Sequence, residues 1–203
     1  MVYFVRKYSS AKWRYIDSLE KDNIDLGLIP SDAYTSCLRT NNNKLSIWKI
    51  SCDDNSEINK ELEEIVLAMV TSFDTIRNAE FIYFSEDDIS ELNKTESKGD
   101  APTPIKDLAN RHKDLEVPTI KDLKKLAKVY IDSIKNNQTK RFNRPQILEI
   151  VDKAINNKLL TKDNSSLIKN MEIIEKLGLI ERCNECGNKI DLRKPKNEQL
   201  TII

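Results

Sequence analysis

The 203 residues are 39% hydrophobic and 33% charged, a composition that is typical of charge-rich globular proteins and excludes a disordered chain. No apolar run approaches the roughly 20 residues that a membrane-spanning helix needs, and the N-terminal run is too short for the apolar region of a signal peptide. The formal net charge is zero, but the two halves of the chain differ in charge. Residues 1–100 carry 12 Lys and Arg against 19 Asp and Glu, which gives a net charge of −7. Residues 101–203 carry 21 Lys and Arg against 14 Asp and Glu, which gives a net charge of +7.

The N-terminal half contains three stretches with the sequence pattern of β-strands. The first two place apolar residues on alternating faces, and the third is a short apolar and aromatic run. These stretches are residues 1–8, 45–51 and 81–84. Three strands predict a small sheet.

Helices are predicted between these strands, because apolar residues recur there at intervals of three and four. The predicted helices are residues 11–20, 31–38 and 58–73, with a further helical turn over 85–92. The helix from Ile58 follows a capping box, Asp54-x-x-Glu57, that would satisfy its first N–H groups. Strands that alternate with helices favour an α+β or α/β fold for a small domain over residues 1–95.

Residues 96–118 interrupt this pattern. The segment contains Gly99, Pro102 and Pro104 and shows no sustained periodicity, which is typical of a linker or a long functional loop. The only histidine of the chain, His112, lies in this segment. We expect a domain boundary here and a solvated histidine in the loop.

Residues 119–203 are predicted to be a basic helical domain that ends in a β-hairpin. Three helices begin at favourable starting residues, Thr119, Pro145 and Ser165. The last of them runs to Leu177 and stops at Gly178, since glycine readily takes the left-handed conformation that ends helices. Two short runs then flank Cys-x-x-Cys, which predicts the hairpin.

The last helix continues through Gly-Leu-Ile-Glu-Arg into this hairpin. Residues 143–193 are therefore similar to the C-terminal part of a winged helix-turn-helix domain. The resemblance implies that the helix from Ser165 to Leu177 enters a DNA groove and that nearby basic residues contact phosphates. Those residues are Lys162, Lys169, Lys176, Arg182, Lys189 and Arg193. A small helical unit that uses the same elements for protein contact is the alternative.

The motif Cys183-Asn-Glu-Cys186-Gly resembles a zinc knuckle. Two intervening residues let both sulfurs face one metal ion, and the following glycine gives the turn its backbone freedom. A structural zinc site needs four ligands, and no second pair follows. Cys37 with Cys52, His112, a second copy of the chain or a partner protein are candidates for the missing ligands. Unliganded or redox-active thiols are the alternatives.

Motifs of known catalytic sites are scarce. A single histidine excludes metal sites that need two histidines from this chain, and neither phosphate-binding glycine motif occurs. The acidic clusters at 53–54 and 86–88 follow predicted strands, where Mg²⁺ ligands often lie, so a metal-dependent nuclease is a third hypothesis. Helix N-terminal charges explain such clusters as well.

Four cysteines without a disulfide pattern indicate reduced thiols and a cytoplasmic protein. A partner could supply charges that complement the asymmetry of the two halves and the ligands that the incomplete zinc knuckle lacks. We therefore expect a non-catalytic interaction or adaptor protein, an accessory subunit of a bacterial-type multi-protein system, with a protein partner or homo-oligomer. The alternative is a DNA-binding regulator that acts through the C-terminal domain. No membrane partner is expected.

Overall fold

The computed structural model describes residues 1–14, 16, 26–53, 57–96, 103–182 and 188–194. Six strands form one antiparallel sheet with the order β4-β5-β2-β1-β3-β6. They are β1 (Val2–Tyr8), β2 (Lys44–Ser51), β3 (Ala79–Ser85), β4 (Lys94–Glu96), β5 (His112–Glu116) and β6 (Thr139–Phe142). Two further strands, β7 (Ile180–Arg182) and β8 (Lys189–Asp191), pair as a separate hairpin.

Within the described residues, five α-helices accompany the strands. They are α1 (Ile58–Val70), α2 (Lys106–Ala109), α3 (Ile120–Lys135), α4 (Arg144–Asn156) and α5 (Met171–Lys176). Short 3₁₀ turns occur at Ser10–Lys12, Leu26–Leu28, Asp87–Ile89 and Ser165–Leu167, and a π-helical turn occurs at Ala33–Cys37. Helices and an antiparallel sheet make this an α+β fold, as the sequence predicts.

The prediction of a three-stranded sheet is wrong, because three more strands join the predicted ones. β5 pairs with β2, with Leu45 opposite Leu115, and β4 pairs with the outer edge of β5. β6 pairs with β3, with Ala79 opposite Phe142. These added strands are short and carry few apolar residues, so their own sequences lack a strand pattern.

The linker prediction for residues 96–118 also needs correction. This segment contains the short helix α2 and the strand β5, and Leu115 of β5 is fully buried. In addition, β6 comes from the predicted C-terminal domain and pairs with β3 from the N-terminal one. Strands from all three predicted segments therefore share one sheet.

The sheet has an apolar core on each face. Side chains alternate between the faces along a strand, so Leu45 and Ile47 lie on one side and Trp48 and Ile50 on the other. The Trp48 face is covered by α1, α4 and α5. The Leu45 face is covered by α3 and the π-helical turn.

Local capping fixes where the longer helices begin. The Thr119 side chain accepts a hydrogen bond from the Asp122 N–H at the start of α3, as predicted. At α4, Asn143 and Gln146 form a reciprocal capping box around Pro145. The capping box predicted before α1 begins at Asp54, which lies outside the described residues.

The long helix predicted from Ser165 to Leu177 is wrong in its extent. Residues 165–167 form a 3₁₀ turn, and the separate helix α5 begins at Met171. The break is stabilised by buried Asn170, whose side chain caps α5 and donates to the Phe73 carbonyl oxygen. Gly178 has the predicted left-handed conformation, with φ of 66°.

Across the part of the chain that the structure describes, no helix is long and apolar enough to cross a membrane.

Candidate functional sites

Three of the six basic residues predicted to contact nucleic acid are paired with carboxylates. Lys176 on α5 lies 2.7 Å from Asp152 on α4, and Lys189 on β8 lies 2.7 Å from Glu175. Hydrogen bonding to Lys189 lowers the pKa of Glu175. The third paired residue, Arg193, has a different environment from these exposed pairs.

Arg193 anchors the hairpin to the rest of the C-terminal region. Its guanidinium contacts both carboxylate oxygens of Asp191, a residue that is only 3% exposed. It also donates to the carbonyl oxygens of Ser165 and Ile168, at 2.9 and 2.7 Å. The bonds to Arg193 lower the pKa of the Asp191 carboxyl group. Arg193 therefore stabilises the fold, and its donors are directed at protein atoms.

The other three predicted residues, Lys162, Lys169 and Arg182, are exposed. Among the described residues, none of them forms an ion pair within 4 Å. The surface around them is mixed in charge, however, because Arg144 binds Glu172 through two contacts of 2.8 and 2.9 Å. The structure thus separates the six residues into three exposed cations and three paired ones.

The cysteines of the proposed zinc knuckle, Cys183 and Cys186, lie outside the described residues. The other two cysteines, Cys37 and Cys52, are buried and form no disulfide bond within the described residues. Cys37 belongs to the core on one face of the sheet and Cys52 to the core on the other, so these two thiols cannot complete one zinc site together. His112 lies on β5 with its ring 5.1 Å from that of Trp48, which corrects its expected place in a loop.

The acidic cluster at 86–88 is engaged in local structure, and Asp54 of the cluster at 53–54 lies outside the described residues. Glu86 pairs with Lys94, and Asp88 accepts hydrogen bonds from the backbone N–H and hydroxyl groups of Ser85. Within the described residues, no group of three His, Cys, Asp or Glu side chains could hold a metal ion.

A cleft opens in the middle of the sheet, where β1 and β2 separate. Their ladder ends at the pair Val5 and Trp48. Beyond it β1 continues beside β3 as far as Tyr8, whereas the beginning of β2 pairs only with β5. The opening has a volume of about 340 Å³. It is lined by Arg6, Lys7, Tyr8, Ser9, Lys12, Ser36, Cys37, Ser46, Trp48 and Met69.

Arg6 spans the gap between the two strands. Its Nε donates to the Cys37 carbonyl oxygen at 2.9 Å, and its two terminal nitrogens donate to the carbonyl oxygens of Ser46 and Arg39. These bonds join β1 to β2 and to the segment after the π-helical turn, and the bond to Ser46 satisfies a β2 carbonyl group that the β1 backbone no longer reaches. They also fix a guanidinium, with its full charge, in the wall of the cleft.

Lys7 lies on the opposite face of β1 from Arg6, since neighbouring residues of a strand point to opposite faces. Its ammonium group lies 4.3 Å from the centre of the Phe73 ring, in a cation–π contact. Burial lowers the pKa of this ammonium group. The cleft therefore has one cationic side chain on each face of the sheet.

No motif of the sequence marks this cleft as a site. A signal was present, because Arg6 and Lys7 interrupt an apolar strand in which charged residues are unexpected.

No family model, no curated protein and no solved structure matches the chain.

Proposed function

We propose that the protein is a non-catalytic interaction or adaptor protein, an accessory subunit of a bacterial-type multi-protein system in the cytoplasm. The supporting observation is a set of exposed leucines in the C-terminal region. Leu159, Leu167 and Leu192 are 49%, 50% and 38% exposed. Exposed leucines are common singly, but these three are carried by loops that are bonded to one another.

Two side chains connect those loops. Asn164 donates to the carbonyl oxygen of Leu159, at 2.9 Å, and its own carbonyl accepts from the Thr161 N–H. Arg193, next to Leu192, donates to the carbonyl oxygens of Ser165 and Ile168, which flank Leu167. The leucines are therefore presented by a fixed framework rather than by independent loops. A pre-ordered surface loses less conformational entropy when a partner binds.

The charges around this framework favour a protein partner over nucleic acid. Lys176 and Lys189 are neutralised by carboxylates, and Arg193 is directed at protein atoms. Phosphate contacts supply most of the affinity of DNA-binding proteins, and paired lysines contribute little to it.

The proposal is tested with a triple variant, Leu159→Ser, Leu167→Ser and Leu192→Ser. The bait is the full chain expressed in its native host, and captured proteins are quantified by mass spectrometry after crosslinking. Homo-oligomer formation is measured by sedimentation. We expect a defined partner or a second copy to bind the wild type and to be lost from the variant.

Ile120→Ser is the matched control, because Ile120 is 68% exposed but lies at the start of α3. This control should retain the partner. Equal recovery of all proteins by wild type and triple variant, or a wild type that is monomeric and captures nothing, contradicts the proposal.

A DNA-binding regulator is the second candidate. The elements α3, β6, α4, α5 and the hairpin follow one another in the order of a winged helix, and Lys162, Lys169 and Arg182 are exposed. Against it, β6 pairs with β3 and not with the hairpin. Lys169→Ala should weaken duplex binding and reduce its salt dependence by about one phosphate contact. Absence of binding at low salt removes this candidate.

We also propose that zinc binds Cys183 and Cys186 and that a second chain completes its ligands. Support comes from the spacing of the two thiols and from the positions of Cys37 and Cys52, which lie on opposite faces of the sheet. Native mass spectrometry measures zinc and oligomeric state together. A zinc-free monomer would remove this proposal.

A further inference from the structure

The separation of β1 and β2 leaves a cleft with three cationic residues, Arg6, Lys7 and Lys12. Among the residues that the structure describes, those that line the cleft include no acidic side chain. We propose that this cleft binds a small organic anion that carries a phosphate or carboxylate group on an aromatic or aliphatic body. The proposal does not depend on the C-terminal leucines.

The first argument is the uncompensated charge. Arg6 donates its hydrogen bonds to carbonyl oxygens, which are uncharged, and no carboxylate of the described residues forms an ion pair with it. Lys7 contacts the face of Phe73, and Lys12 forms no ion pair within the described part of the chain. Three cations around one opening repel one another, and an anion between them relieves that repulsion. The charge of the cleft therefore favours an anionic ligand over a neutral or cationic one.

Nearby carboxylates do not supply this anion. The Glu80 carboxylate accepts hydrogen bonds from the Ser10 N–H and hydroxyl groups, at 2.8 and 2.9 Å. The Asp114 carboxylate lies at 3.5 Å from the Ser46 hydroxyl on the β5 side. Neither residue lines the cleft. The described lining of the cleft is thus cationic, although the carboxylates of Glu80 and Asp114 lie nearby.

The second argument is the nature of the remaining walls. Trp48, Tyr8 and Met69 contribute aromatic and thioether surface, and Ser9, Ser36 and Ser46 contribute hydroxyl groups. Apolar walls with a few convergent polar groups are typical of small-molecule sites, and a volume of about 340 Å³ suits a small ligand. This combination favours an anion with an apolar body over a bare inorganic ion.

The geometry of the cleft is fixed before a ligand arrives. Arg6 joins β1 to β2 and to the segment after the π-helical turn, so the position of one wall relative to the other depends on its bonds. A site that needs no rearrangement binds without paying the cost of ordering its walls. Arg6 is therefore a positioning residue as well as a source of charge.

The experiment uses the full chain and four probes of similar size: phenyl phosphate, benzoate, inorganic phosphate and the cation benzylamine. Binding is measured by calorimetric titration, and the site is identified from the indole resonance of Trp48 in NMR spectra. We expect saturable binding of phenyl phosphate, weaker binding of benzoate and of inorganic phosphate, and none of benzylamine. Phenyl phosphate should shift the Trp48 resonance.

Two kinds of variant test the location. Lys7→Gln and Lys12→Gln should each weaken phenyl phosphate binding about tenfold, the loss expected for one charge-assisted hydrogen bond. Ser46→Leu changes no charge but fills the cleft and should also abolish binding. Lys60→Gln, which removes an exposed lysine from α1 outside the cleft, should leave the affinity unchanged. Melting curves confirm that each variant is folded.

Several results would overturn the proposal. One is the absence of saturable binding by both phenyl phosphate and benzoate. Others are equal binding of benzylamine, or equal losses in Lys60→Gln and Lys7→Gln, which would indicate a general charge effect. Unchanged affinity in folded Ser46→Leu would place the ligand elsewhere.

Discussion

Replacing Arg193 with alanine tests how the C-terminal hairpin is held against the rest of the protein. The change removes the guanidinium that contacts Asp191 at 2.7 Å and that donates to two carbonyl oxygens across the loop. Asp191 is then a buried carboxylate without its counter-ion. We expect the hairpin to detach before the main sheet unfolds.

The magnitude follows from the burial of the pair. Removing one partner of a buried ion pair costs about 3–5 kcal/mol, because the remaining charge is left unsatisfied. The Arg193 side chain is 21% exposed, so water can solvate part of the vacated site. We therefore expect a loss of about 3 kcal/mol in the stability of the hairpin, at the lower end of that range.

Hydrogen exchange of the β7 and β8 amides measures this loss directly, and urea unfolding reports on the whole protein. Arg182→Ala is the control, since Arg182 is an exposed arginine on the same hairpin. The double variant Asp191→Ala with Arg193→Ala removes the buried charge and should cost less than the sum of the two single changes. A cost below about 1 kcal/mol for Arg193→Ala, or additive costs in the double variant, would refute the reasoning.

The same pair predicts a pH dependence. The bonds to Arg193 hold the pKa of Asp191 below its ordinary value of 3.8. A carboxyl group whose folded pKa is depressed stabilises the folded state above its unfolded pKa, and this contribution is lost as the pH falls through the folded pKa. The stability difference between wild type and Arg193→Ala should therefore shrink as the pH falls below 3.8. A difference that stays constant in acid would contradict the ion pair.

Three further predictions concern the fold and are checked by chemical unfolding. Asn143→Ala should destabilise the protein by about 1 kcal/mol, because the Asn143 side chain accepts the Gln146 N–H at the start of α4. Gly178→Ala should cost about 1–2 kcal/mol from backbone strain at φ of 66°, without a steric clash, since nothing lies closer than 3.8 Å to the added carbon. Tyr130→Phe should be nearly neutral, because the buried Tyr130 hydroxyl forms no hydrogen bond of good geometry within the described residues and has the Arg6 guanidinium nearby. Stability losses near zero for the first two, or a loss above about 1 kcal/mol for the third, would contradict these assignments.

The sequence pattern is sufficient to predict features that depend on neighbouring residues, such as the faces of a strand and the ends of a helix. The alternation around Leu45 and Trp48 predicted which residues face which side of the sheet. Thr119 and Gly178 predicted where a helix begins and where one ends, because capping and left-handed backbone depend on nearby residues.

Local sequence signals do not reveal the strands that lie outside the central three. β5 reads as part of a loop because its residues are mostly charged, and it becomes a strand only by pairing with β2 on one side and β4 on the other. The sequence pattern predicts one helix from Ser165 to Leu177, and the structure interrupts it at Asn170. Its contact with Phe73, 97 residues away, makes it a cap.

The sequence by itself determined the α+β class, the strands β1, β2 and β3, the helices α1, α3 and α4, and which face of β2 each apolar residue lies on. These features follow from the periodicity of apolar residues and from capping groups that act over a few residues.

The tertiary structure alone decided which charged side chains bond to other parts of the protein. Arg193 is basic in the sequence and becomes an anchor because Asp191 and two distant carbonyl oxygens surround it. Arg6 and Lys7 interrupt an apolar strand in the sequence and become the walls of a cationic cleft because β1 and β2 separate beside them. Both outcomes depend on groups far apart in the chain, and only the folded arrangement brings such groups together.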